Sequence, residues 1–345
     1  MSKSPSHILV IRLSAMGDVA MSVPVLRAFT QQNPSVKITV LSRAFLKPLF
    51  EDIKNVDFYA ADIKGKHKGL LGIYRLSKEI KKLNINAIAD IHNVLRSKVL
   101  RFFFSLQRIN NGVIDKGRVE KKALTSTKNK VFKQLKTSHE RYADVFRKLG
   151  FSLDLSNPVI PSKPDLSSEV QKLIHQDSLK WIGIAPFAQY QSKTYPLDLI
   201  EEVIFKLSTI NQYKILLFGG GEKEITILKN IESKYQNTIT VAGKLSLTNE
   251  LNLIANLDCM VSMDSANAHL AAMQHVKTIT LWGITHPFAG FAPFNQPKEN
   301  LLLPDLEKYP NIPCSIYGNK ICDGYEDVMR SISPEKVVEK IVNIS

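Results

Sequence analysis

Residues 8–29 read ILVIRLSAMGDVAMSVPVLRAF. A run of apolar residues, HILVIRL at 7–13, meets a turn of small residues ending in Gly17-Asp18. A segment with apolar positions at helical spacing follows. A strand that is continuously apolar, not alternating, suits a parallel sheet covered on both faces. The stretch therefore sets an expectation of an α/β fold that opens strand, turn, helix. The turn itself has three readings: a plain connection, a phosphate cradle, or the seat of a carboxylate. SAMGDV lacks the G-x-x-x-x-G-K-[ST] spacing, so it is not a P-loop.

The alternation continues outward from this start. VKITVLS, VDFYAA and NAIADIH read as strands, LLGIYRLSKEIKKL as an amphipathic helix, and SHERYADVFRKLG as a helix stopped by Gly150. SNPVIPSKPDLSS, rich in Pro and Ser, breaks the pattern. The pattern then resumes, with strands WIGIAPF, YKILLFGG, TITVAG, CMVSM and KTITLWG separated by helical runs. SPEKVVEKIVNI, with Ser before Pro, reads as a last helix. These observations predict two doubly wound units: residues 1–160, a linker at 161–168, residues 169–330, and a terminal helix at 331–345. Two such units leave a cleft between them, with ligands beyond the carboxyl ends of the strands.

The chain has 345 residues, is 44% hydrophobic and carries a net charge of +14. That length accommodates two cores. No apolar run approaches the ~18 residues of a membrane-spanning helix, and MSKSPSH has no signal-peptide core. Both favour a cytoplasmic protein. The positive charge points to a polyanionic partner. It concentrates between Arg96 and Lys148, a segment with fifteen Lys and Arg, Arg108 among them, against four Asp and Glu. Cys259, Cys314 and Cys322 form no C-x-x-C pair. Reduced thiols are expected, although a Cys314–Cys322 bridge is the alternative. No metal site and no cofactor are predicted.

Four loops follow strands. Asp18 reads either as an N-cap or as a general base. Lys193, in APFAQYQSKTYPLD, reads as a solvated lysine or as a counter-charge for a diphosphate. The glycine triplet of FGGGEKE precedes Glu222 and Glu224, either of which would reach a ribose hydroxyl. In SMDSANAHLAA, Asp264 ends a strand and Ser265 caps a helix whose amides at Ser265, Ala266 and Asn267 make an anion site. His269 falls on the same face as Ser265, as a core histidine or a ligand. Four loops at one sheet edge point to a diphosphate-bearing nucleotide in the second unit.

The opening stretch, and MVSMDSANAHLAAMQHVKTITLWGITHPFAG at 260–290, resemble family 9 glycosyltransferases, the lipopolysaccharide heptosyltransferases. Their signature is an Asp-Ser/Thr-Gly-x-x-His block followed by a Gly-x-Thr-x-Pro turn. The resemblance implies a GT-B fold, with an acceptor-binding first domain and a donor-binding second. It implies an inverting, metal-independent transfer from ADP-L-glycero-D-manno-heptose to the lipopolysaccharide inner core. Asp18 matches the catalytic base and Lys193 the diphosphate lysine. Asp264, Ser265, Ala266 and His269 fall in the donor block, and Leu245 lies near the adenine. Ser14, Gly17, Asp90, His92 and Arg96 are the expected acceptor contacts, with strand-end capping an equal reading of Asp90. The basic segment, placed in the acceptor domain, would face a lipid-anchored anionic glycan at the inner membrane surface.

Two positions depart from the family pattern. Ala266 stands where Gly is common and His286 where an acid is common, which bears on donor identity. A different nucleotide sugar is thus one alternative. A nucleic-acid-binding protein is another, but it lacks a zinc-finger spacing or an RNP-like strand and leaves DSANAH unexplained.

Overall fold

The computed structural model describes residues 5–105, 109–175 and 177–345. Arg108 of the basic segment lies outside the described residues. The chain divides into two compact units, Met1–Lys116 with Ser138–Val159, and Gly117–Thr137 with Ile160–Ser345.

In the first unit the order is β1 (His7–Ile11), α1 (Met16–Ala20), α2 (Ser22–Gln32), β2 (Lys37–Ser42), β3 (Val56–Ala60), α3 (Gly69–Lys81), β4 (Ala87–Asp90), α4 (Leu95–Ser105) and β5 (Asn110–Val113). A short helix, α5 (Arg118–Leu124), then leaves for the second unit, and α6 (Ser138–Lys148) returns. The sheet is parallel in the order β3-β2-β1-β4-β5. β1 is central, which explains its unbroken apolar run: Ile8, Leu9, Val10 and Ile11 are all fully buried. Leu9 and Ile11 pack on one face with Ile73, Leu76 and Ile80 of α3 and Leu100 and Phe104 of α4. Each such side chain contributes roughly 1.5–3 kcal/mol of burial free energy.

The second unit continues with α7 (Ser168–Ile174), β6 (Lys180–Ala185), α8 (Leu197–Thr209), β7 (Tyr213–Leu217), α9 (Glu222–Glu232), β8 (Thr238–Thr240), α10 (Leu247–Ala255), β9 (Cys259–Met263), α11 (Ala266–Met273), β10 (Lys277–Leu281), β11 (Leu301–Leu302) and α12 (Pro334–Ile344). Its strands run parallel in the order β11-β10-β9-β6-β7-β8. The last helix starts as its sequence dictates, with the Ser333 hydroxyl accepting the Lys336 N–H at 3.3 Å and Pro334 in the first turn. This is the two-unit α/β architecture of the GT-B fold.

Three expectations are corrected. Residues 117–137, the middle of the basic segment, do not belong with the first unit. Leu124 and Leu135 bury their side chains against Ala289 and Phe288, and Lys130 donates to the Asn311 carbonyl at 2.6 Å. The cysteines expected to be reduced are joined, Cys314 to Cys322, with Cα atoms 5.6 Å apart. The presumed linker already contains the start of α7, whose N-cap Ser167 accepts from Val170.

Each sheet reverses its direction of winding once, between β1 and β4 in the first unit and between β6 and β9 in the second. Such switch points open crevices at the carboxyl ends of the strands. The loops carrying Asp18, His92, Lys193 and Asp264 all leave from these four strands.

Candidate active site

At the first switch point the chain leaves β1 through Arg12, a buried guanidinium. Its Nη1 donates to the Ile91 carbonyl at 2.9 Å and its Nη2 pairs with Asp18 Oδ2. The Tyr142 ring lies 5.8 Å from the guanidinium carbon, and its hydroxyl donates to the Asp18 carbonyl at 3.3 Å. Asp18 is not the N-cap of α1, which is Ala15. It is the third helical residue, and its Oδ2 accepts the Ala15 N–H at 3.4 Å. Arg12 and the helix end thus share one oxygen. Oδ1 takes no hydrogen bond among the described residues, and the side chain is 34% exposed. A carboxylate fixed through one oxygen and open at the other is the geometry a general base needs.

Beside it, His92 accepts the Leu13 N–H through Nδ1 at 3.4 Å, which leaves the proton on Nε2. Burial, then the charges of Arg12 and Lys116, push its pKa down to about 4, so the ring is a neutral donor at pH 7. Asp90 is different. It is 0% exposed and accepts from His92 N at 3.0 Å, Asn93 N at 2.7 Å and Arg101 Nε at 2.8 Å. It shapes the turn after β4 and anchors α4, and is too deeply enclosed to touch an acceptor. Arg96 is half-buried near the start of α4 and forms no ion pair among the described residues. Ser14 and Gly17 are half-exposed beside Asp18.

At the second switch point Lys193 Nζ donates to the Asp264 carbonyl at 2.6 Å and lies 3.3 Å from its Oδ2. Thr285 Oγ1 donates to the same Oδ2 at 2.9 Å. Two of three ammonium hydrogens are placed by Asp264, leaving one to meet an anion. Ser265 occupies the N-cap position of α11 but does not cap it. Its hydroxyl pairs with Ser262 Oγ at 3.1 Å, so the first amides, at Ala266 and Asn267, take no side-chain cap. These amides and the helix dipole favour an anion. His269 is buried one turn along α11.

The lysine itself is braced by the loop that the Cys314–Cys322 bridge closes. Ser192 Oγ donates to the Gly318 carbonyl at 2.6 Å. A Cβ on Gly318, whose φ is +87°, would lie 2.7 Å from Lys193 Cγ, and one on Gly283 would lie 2.3 Å from the Ser192 carbonyl. Both glycines exist so that other groups approach closely. Of the two acids after the glycine triplet, Glu224 is used within the loop, accepting the Gly220 N–H at 2.8 Å, while Glu222 is exposed at the start of α9. Leu245 is half-buried in the turn before α10.

His286 accounts for one departure from the family pattern. Its Nδ1 accepts the Phe288 N–H at 3.1 Å and so caps the short turn Pro287–Ala289. A carboxylate there would make the same bond. Burial and Lys130 push the histidine down to about 4, so this cap carries no charge at neutral pH. Arg12, Tyr142, Ser192, Thr285 and Gly318 were not singled out in the sequence. Only Arg12 and Thr285 lie inside the two signature stretches, where their adjacency to Asp18 and to the GITHP turn was the available signal. Among the described residues no three His, Cys, Asp or Glu side chains converge as a metal site would require.

The chain is 24% identical over 302 residues to the lipopolysaccharide core heptosyltransferase OpsX of Haemophilus influenzae, covering 85% of this chain and 83% of that protein. Among solved structures it is similar to a glycosyl transferase family 9 protein from Veillonella parvula (TM-score 0.75, 19% identity, 98% and 97% of the two chains). It is also similar to the Escherichia coli heptosyltransferase WaaC with ADP (TM-score 0.68, 18% identity, 98% and 100%). The family model for glycosyltransferase family 9 (heptosyltransferase) matches residues 73–316, which span the Arg96 helix, the Lys193 loop and the whole Asp264 block. The chain belongs to glycosyltransferase family 9, the heptosyltransferase family.

Proposed function

We propose that the protein is an inverting, metal-independent heptosyltransferase. It moves the heptosyl group of ADP-L-glycero-D-manno-heptose to a sugar of the lipopolysaccharide inner core, with Asp18 as general base. The observation that carries this reading is the pairing of opposite functions at the two switch points. One holds a carboxylate with a free oxygen; the other holds an ammonium beside an uncapped helix start. The names of the relatives support the sugar and the lipopolysaccharide core, and one similar structure holds ADP.

The acceptor hydroxyl oxygen attacks the anomeric carbon from the face opposite the diphosphate. Its proton passes to Asp18 Oδ1 as the bond from that carbon to the diphosphate oxygen breaks, so the configuration inverts. Lys193 and the amides of Ala266 and Asn267 take up the charge that develops on the departing diphosphate. Asp264 and Thr285 hold Lys193 for that task. Leu245, Glu222, Ser265 and His269 receive the nucleoside and the rest of the donor. His92, a neutral donor, and Arg96, a cation with no ion pair among the described residues, orient the acceptor beside Ser14 and Gly17. The acceptor is a lipid-anchored anionic glycan, and the enzyme works in the cytoplasm at the inner face of the membrane. A second reading keeps the mechanism and changes the donor. It is favoured by Ala266, whose methyl group stands at the anion site, and by the uncharged His286 cap.

The deciding experiment is calorimetric titration with ADP, ADP-heptose and UDP-sugars in the absence of divalent metal. Binding of ADP that is lost in Lys193→Ala supports the main reading. Binding of UDP alone replaces the donor, and no nucleotide binding at all overturns the reading.

A further inference from the structure

The first unit carries a surface that the proposed transfer does not use. Leu70 and Leu71, in the first turn of α3, are 69% and 83% exposed. Tyr74, one turn on, is also exposed, and its ring meets Phe103 of α4 at 5.3 Å between centroids. Phe103 in turn meets Phe102, which is 60% exposed. Leu70 and Leu71 thus lead along α3 to a chain of three rings that continues onto the packed helix α4, with Phe103 also packing on the core beneath. Isolated exposed leucines are ordinary; a contiguous ridge marks an interaction surface.

Cations predominate around it. Lys64, Lys68, Arg75, Lys78 and Lys98 are exposed, and Lys78 lies 5.3 Å from the centre of the Tyr74 ring. Between residues 62 and 105 the acids are Asp62, Glu79 and Asp90. Asp62 binds the N–H groups of Gly65 and Lys66, and Glu79 pairs with Lys66 and accepts from Tyr59 and His67. Asp90 holds Arg101. Every acid is engaged locally, so the five rim cations form no ion pair among the described residues.

We infer that the α3–α4 ridge is a docking surface for an anionic phospholipid bilayer, with Leu70 and Leu71 entering the interface and the rim cations meeting the headgroups. A second copy of the chain fits poorly, because a two-fold contact would set like charges against each other. Single-stranded nucleic acid fits poorly too. The most exposed residues are aliphatic, and bases need aromatic faces to stack on. The inference deepens the membrane contact named in the proposed function, yet its test requires no catalysis.

The test is flotation of the full chain with vesicles of phosphatidylcholine alone and of phosphatidylcholine mixed with phosphatidylglycerol. Capture is expected on the mixed vesicles only. It should fall about tenfold or more in Leu70→Ser/Leu71→Ser, and similarly in Lys64→Glu/Lys68→Glu/Lys78→Glu, while ADP titration of both variants stays unchanged. Equal capture by phosphatidylcholine alone, or wild-type capture of both variants, overturns the inference. So does a dimer in light scattering that the leucine variant dissolves in the absence of vesicle capture, or displacement from vesicles by single-stranded DNA. If the leucine variant melts early, the charge variant decides. Loss of ADP binding with vesicle capture intact would count against the proposed function and leave this surface standing.

Discussion

The two switch points are built alike with the charges exchanged. At the first, a buried guanidinium, Arg12, holds a carboxylate that is one-third exposed. At the second, the enclosed carboxylate of Asp264 holds an ammonium, Lys193. In each case one partner fixes the other's geometry, and the residual valence of the held group is what substrate would meet. One unit thereby presents a carboxylate and the other an ammonium, the proton acceptor and the counter-charge of the proposed reaction. The lesson is that the same parallel-sheet edge yields either polarity, depending on which member of the ion pair the strand end encloses.

Breaking the pair at the acting residue should have the largest effect. Asp18→Asn keeps the shape and removes the base, so kcat should fall about 10²–10⁴-fold with ADP affinity unchanged in calorimetry. Turnover at the wild-type rate would remove Asp18 from the role. Lys193→Ala should act on the other side of the comparison. ADP should bind roughly ten- to a hundredfold more weakly, the loss of a charge-assisted contact of about 1.5–3 kcal/mol. Weakened kcat with intact ADP binding would mean that Lys193 meets only the transition state.

Disturbing the brace and not the residue sharpens the comparison further. Gly318→Ala places a methyl group against the Lys193 stem at a positive φ, a strain of about 1–3 kcal/mol. ADP affinity should drop several-fold while kcat at saturating donor changes less. An unaltered titration would show that the loop only covers the lysine.

The smallest effects concern pH. His92 and His286 both titrate near 4 when folded, against an ordinary 6.5, because both are buried. The unfolded chain therefore takes up protons that the folded chain refuses. Stability is full above pH 6.5 and falls as the pH drops toward 4. Melting curves should show this, and His286→Asn should flatten it. Glu250 has the opposite sense. Burial lifts it from 4.5 to about 7, so folding loses stability as pH rises through that window, and Glu250→Gln should melt higher at pH 8 than the parent chain.

Much of this was legible in the sequence. Asp18, Lys193 and Asp264 were readable as candidates because each lies in the connection that follows an apolar strand, and a parallel sheet sends such connections to one edge. Others needed distance information. Asp90 reads equally as an acceptor contact or a strand-end cap, and its bonds from His92, Asn93 and Arg101, the last eleven residues away, favour the cap. The strand Asn110–Val113 carries too few apolar residues to announce itself, and Leu301–Leu302, though apolar, is only two residues long. Ser265 looked like a cap, yet Ser262 claims its hydroxyl.

The sequence by itself determined the two α/β units, the strand-end loops and the signature blocks, because hydrophobic period and helix-start chemistry are local. Only the tertiary structure decided what each loop residue does there. Tyr142 reaches Asp18 across 124 positions, the loop containing Gly318 braces Lys193 from 126 positions beyond Ser192, and residues 117–137 cross to the second unit. The packing of segments distant in sequence sets those contacts, and no local pattern encodes them.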